Sequence, residues 1–525
     1  MTSPRIVSNT ICFALLVSFF VPTLSSTAAS PGLSELDEIA SEIVALKERN
    51  ERLKHRLDDR SGDGFDDRWS FEDRKAGITA LVQDVLADTE HRTSRLGAPL
   101  DAGYSDAHGF HVRTADDTFA LNIHGMLQTR WIFNRSTSGQ RYTNTQAVVD
   151  NFTGGDSPQG PENGWGFQVR RAKVTFRGHV VDPSWRYKLE TNFRSNGSAV
   201  FQDAYIIKEF EDGFSIRAGQ FKEAWLREQM VSDRRQLAVE RSVINGFFGQ
   251  GRSVGVEGRY RNDTFDITVG ATNGMRTTLQ SAPTFTNFSD SPTEWSFCAR
   301  FQYILAGAWK DFRNLNASIG SDTSVMVGVA GMSQKYGENS NTDSLYGFDP
   351  NQIFLGTSLG TLDGSMVSGL TADISVKHRD LTFFAAIAWQ QISTKTQGSG
   401  PFVVGTVPFE MARINPWGFV VQGGWAATGE IELFARYSYL DADMDDLAAP
   451  PALALPLAYG SSVSSVITLG VNWFLSDKVK LTVDTGLNMD ASFAGITGGR
   501  LRGAGWVPTS TSDQWNLRAQ LQLQF

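Results

Sequence analysis

The chain ends in QWNLRAQLQLQF, residues Gln514 to Phe525. Apolar residues occupy every second position of this stretch from residue 517 onwards: Leu517, Ala519, Leu521, Leu523 and Phe525. Because successive side chains of a strand point to opposite faces, the alternation predicts a strand with one apolar and one polar face. Such a strand fits a soluble sandwich, where its apolar face meets a second sheet, or a membrane barrel, where that face meets lipid.

The composition of the whole chain favours strands over packed helices. The 525 residues include 50 Gly, 35 Phe and 13 Trp but only 17 Pro, which suits many strands and turns. The formal net charge of -9 argues against a nucleic-acid-binding protein, because a phosphate backbone requires a basic surface. A negative total still allows a locally basic pore interior.

Residues 1–29 are predicted to be a secretory signal peptide. Arg5 provides the positive start, Ile11 to Val21 form the apolar segment, and small residues at 26–29 provide the cleavage site. A membrane anchor is the alternative, but the apolar run is shorter than the roughly 20 residues of a spanning helix. Cys12 leaves with the signal, so Cys298 remains alone and no intramolecular disulfide is expected.

Residues 30–60 are predicted to form a periplasmic coiled coil that oligomerises the chain. Apolar residues recur at alternating spacings of three and four. The a and d positions are Leu36, Ile39, Ile43, Leu46, Asn50, Leu53 and Leu57. Asn50 at an a position is typical of a residue that fixes register and oligomeric state. A single amphipathic helix packed on its own domain is the alternative.

Residues 61–110 are predicted to be a linker with a possible helix, and residues 111–525 an outer-membrane barrel domain. In the second region almost every periodic segment has period two, which gives about sixteen strands of roughly 10 residues, the length of a tilted membrane strand. Since no segment after the signal is apolar enough to span a membrane as a helix, a membrane location would require a barrel.

Short and long connections alternate along this predicted barrel. Short turns at 211–213, 261–263 and 379–380 interleave with long polar stretches at 135–164, 274–292, 334–363 and 441–462. This asymmetry is typical of outer-membrane barrels. The predicted fold is therefore an all-β, transmembrane antiparallel β-barrel of about sixteen strands, preceded by a short α-helical coiled coil.

Five short motifs between residues 167 and 250 occur in the order and approximate spacing of a known family. They are FQVRRAKVTFRGHV (167–180), WRYKLETNF (185–193), FQDAYI (201–206), AGQFKEAW (218–225) and LAVERS (237–242). This segment resembles the phosphate-selective porin O/P family, whereas the second half of the chain is similar only in strand pattern. The resemblance implies a trimeric, sixteen-stranded barrel in which arginine and lysine side chains line a narrow path for anions. The terminal Phe525 likewise resembles the C-terminal signal that porins present to the barrel-insertion machinery.

The resemblance, together with strand parity, assigns residues to this path. The predicted lumen residues are Arg130, Arg170, Arg171, Lys173, Arg177, Arg186, Lys188, Asp203 and Lys222. Parity alone turns Arg170 towards lipid unless it lies at the strand end. Guanidinium and ammonium groups replace the hydration of an anion, and several weak sites in series allow it to leave.

Residues 222–251 are too long and polar for a turn and are predicted to fold inward as a constriction loop. Its candidate selectivity residues are Arg227, Arg234, Arg235 and Arg241. For each single arginine the alternative is a paired network that stiffens the barrel. For the group, the basic run from Arg170 to Lys188 contains one acid, Asp182, which favours an anion path.

The sequence predicts no enzyme, metal or cofactor. Its histidines are scattered, no GxSxG or HExxH motif occurs, and only His124 on a polar strand face fits a catalytic role. Asp443, Asp445 and Asp446 lack the rest of a calcium motif.

The predicted function is an outer-membrane porin, a passive diffusion channel for small hydrophilic solutes that prefers anions, with phosphate among them. A general or sugar porin, with Trp165, Trp225 and Trp417 lining a sugar path, is one alternative. A structural tether between outer membrane and cell wall, anchored by the barrel, is another. The expected partners are outer-membrane lipid, small anions, two further copies of the chain and the insertion machinery, without nucleic acid.

Overall fold

A computed structural model describes most of the chain from residue 100 onwards. The described residues are 100–105, 109–138, 160–193, 198–249, 251–274, 293–336, 366–393, 415–443, 463–490, 504–506 and 513–525. The predicted signal peptide, coiled coil and linker helix lie outside them. Among the described residues, no helix has the length and apolarity needed to cross a bilayer.

Eighteen β-strands occur in the described residues. They are β1 (Leu100–Ser105), β2 (Gly109–Thr114), β3 (Phe119–Ser138), β4 (Gly160–Val180), β5 (Asp182–Phe193), β6 (Ala199–Glu209), β7 (Phe214–Phe221), β8 (Ser253–Arg261), β9 (Phe265–Thr272), β10 (Thr293–Ala306), β11 (Ser321–Tyr336), β12 (Met366–Arg379), β13 (Leu381–Ser393), β14 (Trp417–Ala426), β15 (Ile431–Asp441), β16 (Val463–Ser476), β17 (Val479–Asn488) and β18 (Gln514–Gln524). Two short helices, α1 (Arg227–Met230) and α2 (Val243–Phe248), lie between β7 and β8.

Strands β3 to β18 close into a barrel. Each pairs antiparallel with the next, and β18 returns to pair with β3, with Ala519 opposite Trp131. This confirms the predicted antiparallel barrel of sixteen strands. β3 and β4 are longer than predicted, since they extend into the stretch 135–164 that the sequence indicated as a connection.

The two remaining strands form a hairpin beside the closing seam. β1 pairs with β2, and β2 pairs with residues 120–123 of β3, next to the segment of β3 that β18 occupies. β1 therefore begins inside the stretch predicted to be a linker. The domain boundaries at 60 and 110 stay predictions.

Opposite faces of the strands meet different surroundings. In β13, Leu381, Phe383, Ile387 and Trp389 are exposed on the outside, whereas the alternate residues Thr382, Phe384, Ala386 and Ala388 are buried. Aromatic rings contact each other across strands near the long-connection end, as Phe133 does with Trp515. An apolar outer band with aromatic residues at its edge is typical of a lipid-facing barrel surface.

Phe525 completes the seam at the opposite end. Its backbone exchanges two hydrogen bonds with Gly125 of β3, with N···O distances of 2.8 and 3.2 Å. A Cβ atom on Gly125 would lie 2.0 Å from the tip of the Phe525 ring. The terminal aromatic ring therefore covers a position that only glycine leaves open.

Candidate functional site

The connection between β7 and β8, residues 222–252, lies inside the barrel. Lys480 of β17 donates to the carbonyl of Gln236 at 3.0 Å, and the amide of Val239 donates to Asp484 of the same strand at 3.0 Å. Both side chains belong to the inner wall far from β7 and β8. This segment, termed the inner loop, therefore crosses the lumen, and its role in selectivity stays a prediction.

The apolar side of the inner loop packs on one half of the inner wall. Its buried residues include Trp225, Leu226, Val231, Leu237, Ile244, Phe247 and Phe248. They contact inward residues of β10 to β15: Cys298, Ala330, Met332, Val367, Phe384, Ala386, Ala388, Ile392, Val420, Phe434 and Leu440. This apolar packing fills the β10–β15 half of the lumen.

The tryptophans suggested for a sugar path do not line one. Trp225 is 1% exposed within this apolar packing. Trp165 and Trp417 are 70% and 37% exposed on the outer face of the barrel. That hypothesis is wrong for these three residues, because one is needed for packing and two face the membrane.

Three guanidinium groups of the other half converge on one carboxylate of the inner loop. The carboxylate of Glu240 forms ion pairs with Arg130 Nη1 at 2.7 Å, Arg170 Nε at 2.5 Å and Arg171 Nη2 at 3.3 Å. Burial alone would raise the pKa of Glu240, but Arg170, Arg171 and Arg130 hold it well below its usual range. Glu240 is thus a buried anion that fixes the loop to β3 and β4.

A β-bulge explains how two adjacent arginines reach the same carboxylate. In the β3–β4 ladder Arg171 is opposite Gln128 and Val169 is opposite Thr129, which leaves Arg170 as an additional residue. Strict alternation would send Arg170 to the lipid face. That expectation is wrong, because a bulge restarts the alternation and turns the side chain inward.

Further carboxylates extend this contact into a network. Asp233 of the inner loop pairs with Lys173, Arg241 and Arg171 at 2.5, 2.6 and 3.4 Å. Burial would raise the pKa of Asp233, but the same three cations hold it well below its usual range.

Two strand carboxylates extend the network to the C-terminal end of the inner loop. Glu190 of β5 and Asp203 of β6 pair with Lys188 and Arg252. Seven cations consequently share four carboxylates. Asp182 is the one acid within the basic run at 170–188, but all four of these carboxylates lie outside the run in the sequence.

Two predicted cations are used inside the lumen packing. Lys222 Nζ donates to the carbonyl of Gln229 at 2.8 Å, and burial followed by the charge of Arg241 lowers its pKa well below the usual value. Arg227 donates to the carbonyl of Phe312. Both contacts hold the inner loop in place.

A cavity of about 590 Å3, termed the basic vestibule, opens beneath the inner loop towards the short-connection end. Its cationic lining residues are Arg113, Lys173, Arg177, Arg186, Lys188 and Arg234, and its histidines are His124 and His179. Glu190 is the one carboxylate of the lining. Within the described part of the chain, no cluster of three or more His, Cys, Asp or Glu residues is arranged to hold a metal ion.

Four arginines at this end differ from those of the network. Among the described residues, none of Arg177, Arg234, Arg235 and Arg313 has a carboxylate within ion-pair distance. Burial and then the charge of Arg177 lower the pKa of Arg234, while burial and then Arg234 and Arg313 lower that of Arg235. These residues, termed the arginine row, run from the basic vestibule past the tip of the inner loop.

The structure therefore divides the predicted path residues into groups. Those held in the network are Arg130, Arg170, Arg171, Lys173, Lys188, Asp203 and Arg241. Arg186 lines the basic vestibule and pairs with Glu209 at 2.8 Å, where both side chains are about half exposed. Sequence reasoning identified Asp203 but missed Arg113, Arg313 and the carboxylates Glu190, Asp233 and Glu240. Glu240 lies inside the motif at 237–242 and could have been found there.

A closed sixteen-stranded antiparallel barrel with an apolar outer face, a charged inner wall and an inward loop is the architecture of the outer-membrane porins. The family model described as phosphate-selective porin O and P matches residues 140–331, which include β4 to β10 and the inner loop. The match confirms the resemblance predicted from the sequence.

Several solved structures are similar to the chain at low identity. The outer membrane channel DcaP of Acinetobacter baumannii has 12% identity and a TM-score of 0.46, covering 81% of this chain and 100% of that one. An anion-selective porin from Comamonas acidovorans and the trimer form of OmpT from Vibrio cholerae each have 12% identity and a TM-score of 0.44, covering 78% of this chain and 100% of theirs. No curated protein sequence gives a significant match. The fold assignment rests on the strand pairing itself.

Proposed function

We propose that this protein is an outer-membrane porin whose passive path prefers small anions, phosphate among them. One observation carries the proposal. The inner loop fills the β10–β15 half of the lumen, and the half left open contains the basic vestibule and the arginine row, where Arg177 and Arg234 have no carboxylate partner among the described residues.

The two groups of cations have different roles in this proposal. The network fixes the inner loop, since Glu240 and Asp233 of the loop pair with cations of β3 and β4. The arginine row offers successive guanidinium groups that replace part of the hydration of an anion. Because no single site encloses the anion, it passes from one to the next and leaves. The low-dielectric wall concentrates anions at the opening.

Substitution of the arginine row tests this proposal in planar bilayers. Arg177→Gln and Arg234→Gln should move the zero-current potential under a salt gradient towards the value of a non-selective channel. Arg259→Gln is the control. Arg259 of β8 pairs with Asp266 of β9, and neither residue lines the basic vestibule. Equal effects of all three changes would refute the assignment. A channel that conducts without anion preference would indicate a general porin, and absence of conductance a tether.

The proposal includes a homotrimer, for which β4 supplies structural support. β4 pairs with β5 only from Ala172 onwards, so among the described residues its edge at 163–171 has no second partner strand. Its outward residues there are unusually prominent: Trp165 is 70% and Phe167 81% exposed. An open edge is costly at membrane depth, and a second copy of the chain would cover it.

Native mass spectrometry in detergent tests the trimer. The double change Trp165→Ala and Phe167→Ala should weaken the trimer, whereas Phe297→Ala on the outer face of β10, with a ring that is 54% exposed, should leave it intact. A full-length chain that is monomeric under conditions that keep the barrel folded would contradict this part.

The remaining features of the proposal concern export. Residues 1–29 direct secretion, the heptads at 36–57 stand on the periplasmic side, and Phe525 is presented to the insertion machinery. Short connections face the periplasm in outer-membrane barrels, which places the basic vestibule at the periplasmic opening.

A further inference from the structure

The connection between β10 and β11, residues 307–320, is unlike the others at its end of the barrel. Each other connection there, from β2–β3 to β16–β17, has four residues or fewer. Residues 307–320 instead contain a 3-10 turn, Asp311–Arg313, and bury Phe312, Leu315, Asn316 and Ala317. This segment is termed the floor segment.

The floor segment reaches across the lumen and is anchored on distant strands. Asn316 Nδ2 and the amide of Ala317 donate to the two carboxylate oxygens of Glu432 on β15, at 2.7 and 2.5 Å. Lys377 of β12 donates to Asn314 Oδ1 at 2.5 Å. These contacts fix the segment over the opening on the β10–β15 side.

The inner loop and the floor segment meet inside the barrel. The amide of Leu315 donates to the carbonyl of Arg235 at 3.1 Å, and the Leu315 side chain joins the apolar packing of the inner loop. Arg227 of the inner loop donates to the carbonyl of Phe312. The loop enters from one end and the floor segment from the other, so together they block the same half of the lumen.

We propose that the floor segment is a second constriction element that sets selectivity. It closes the short-connection end of the β10–β15 half and holds Arg235 at its backbone, so that every solute passes the arginine row. Without it, the inner loop would lose the packing of Leu315 and the backbone bond to Arg235, and its release from this half would open a second route that bypasses Arg177 and Arg234. This inference rests on the proposed function, because it requires a conducting channel.

Replacement of residues 308–319 by Asn-Gly in the full-length chain tests the inference, since that dipeptide forms a tight hairpin turn. Single-channel conductance should rise roughly twofold, because a second opening acts in parallel. The effect of Arg234→Gln on the zero-current potential should shrink in this background. That second readout would not change if the segment served only to stabilise the barrel.

A milder variant covers the case in which the shortened chain does not fold. Glu432→Ala removes the anchor of Asn316 and Ala317 and should produce transitions between two conductance levels. Glu430→Ala, an exposed residue of the neighbouring β14–β15 connection, is the matched control and should leave the current steady.

The outcomes separate the two proposals. Unchanged conductance in both variants, or raised conductance with the full effect of Arg234→Gln retained, would overturn the inference and leave the proposed porin intact. A parent protein without anion preference would instead overturn the proposed function, whatever the variants do.

Discussion

Replacement of Glu240 by glutamine should release the inner loop, although the two side chains have nearly the same shape. Glu240 is 7% exposed and accepts from three guanidinium groups at 2.5 to 3.3 Å. At such distances each contact contributes about 5 kcal/mol of gross Coulomb energy for an effective dielectric constant near 20. An amide in place of the carboxylate loses this charge and directs N–H groups at one or more of these arginines.

The net cost is smaller than the gross energy, because desolvation offsets much of it. Removing one partner of a buried ion pair costs about 3–5 kcal/mol. Since about 1.4 kcal/mol corresponds to a factor of ten, the opened state of the loop should become roughly a hundredfold to a few thousandfold more populated.

A cysteine at position 239 measures this opening. Val239 is 4% exposed and its amide bonds to Asp484, so a thiol there reacts only when the loop opens. The labelling rate of Val239→Cys should rise by the stated factor when Glu240→Gln is added, with Cys298 replaced throughout. Because the pKa of Glu240 is held well below its usual range, the stabilisation is present above the ordinary glutamate pKa of about 4.3 and is lost only as the pH falls through the lowered value.

Glu209→Gln provides the control for this experiment. Glu209 pairs with Arg186 at 2.8 Å, but the two side chains are 41% and 56% exposed. Such a pair contributes at most about 1 kcal/mol, so labelling should change by no more than about fivefold. Equal labelling rates in the Glu240→Gln and Glu209→Gln backgrounds would refute the view that Glu240 holds the loop.

Two further predictions concern Glu223, at the start of the inner loop, and the closing seam. Burial raises the pKa of Glu223 to about 7. The folded state therefore binds the carboxyl proton of Glu223 more tightly than the unfolded state does. The free energy of unfolding should fall by about 3 kcal/mol as the pH rises from about 4.5 to 7. Urea midpoints of Glu223→Gln should lack this decline, and an unchanged pH profile would contradict the assignment. At the seam, Gly125→Ala places a methyl group 2.0 Å from the Phe525 ring and should lower the yield of heat-resistant barrel. Gly423→Ala, whose nearest neighbour is at 3.4 Å, should not; equal yields would show that the ring moves aside freely.

Alternation along the chain was sufficient to predict the barrel, because lipid on one side and water on the other impose period two on every strand. β13, observed as Leu381–Ser393 directly after the short turn predicted at 379–380, shows that this information is contained in the local sequence. The inward position of Arg170 was not accessible in the same way, because a bulge adds one residue without changing composition.

The candidate site depended on contacts between distant residues. Arg130 and Glu240 are 110 positions apart, and no periodic pattern pairs them. Arginines in the network and in the arginine row therefore look alike in sequence, although the first neutralise carboxylates and the second do not. The floor segment was missed for a related reason, since its Leu315 and Asn316 acquire meaning only through Arg235 and Glu432.

The decisive measurement is the zero-current potential of the purified full-length protein in a planar bilayer, under a salt gradient and with phosphate added. An anion path along the arginine row should give a potential of the sign set by the anion gradient and a current that phosphate reduces. A potential near zero, or one of the opposite sign, would contradict an anion path along the arginine row.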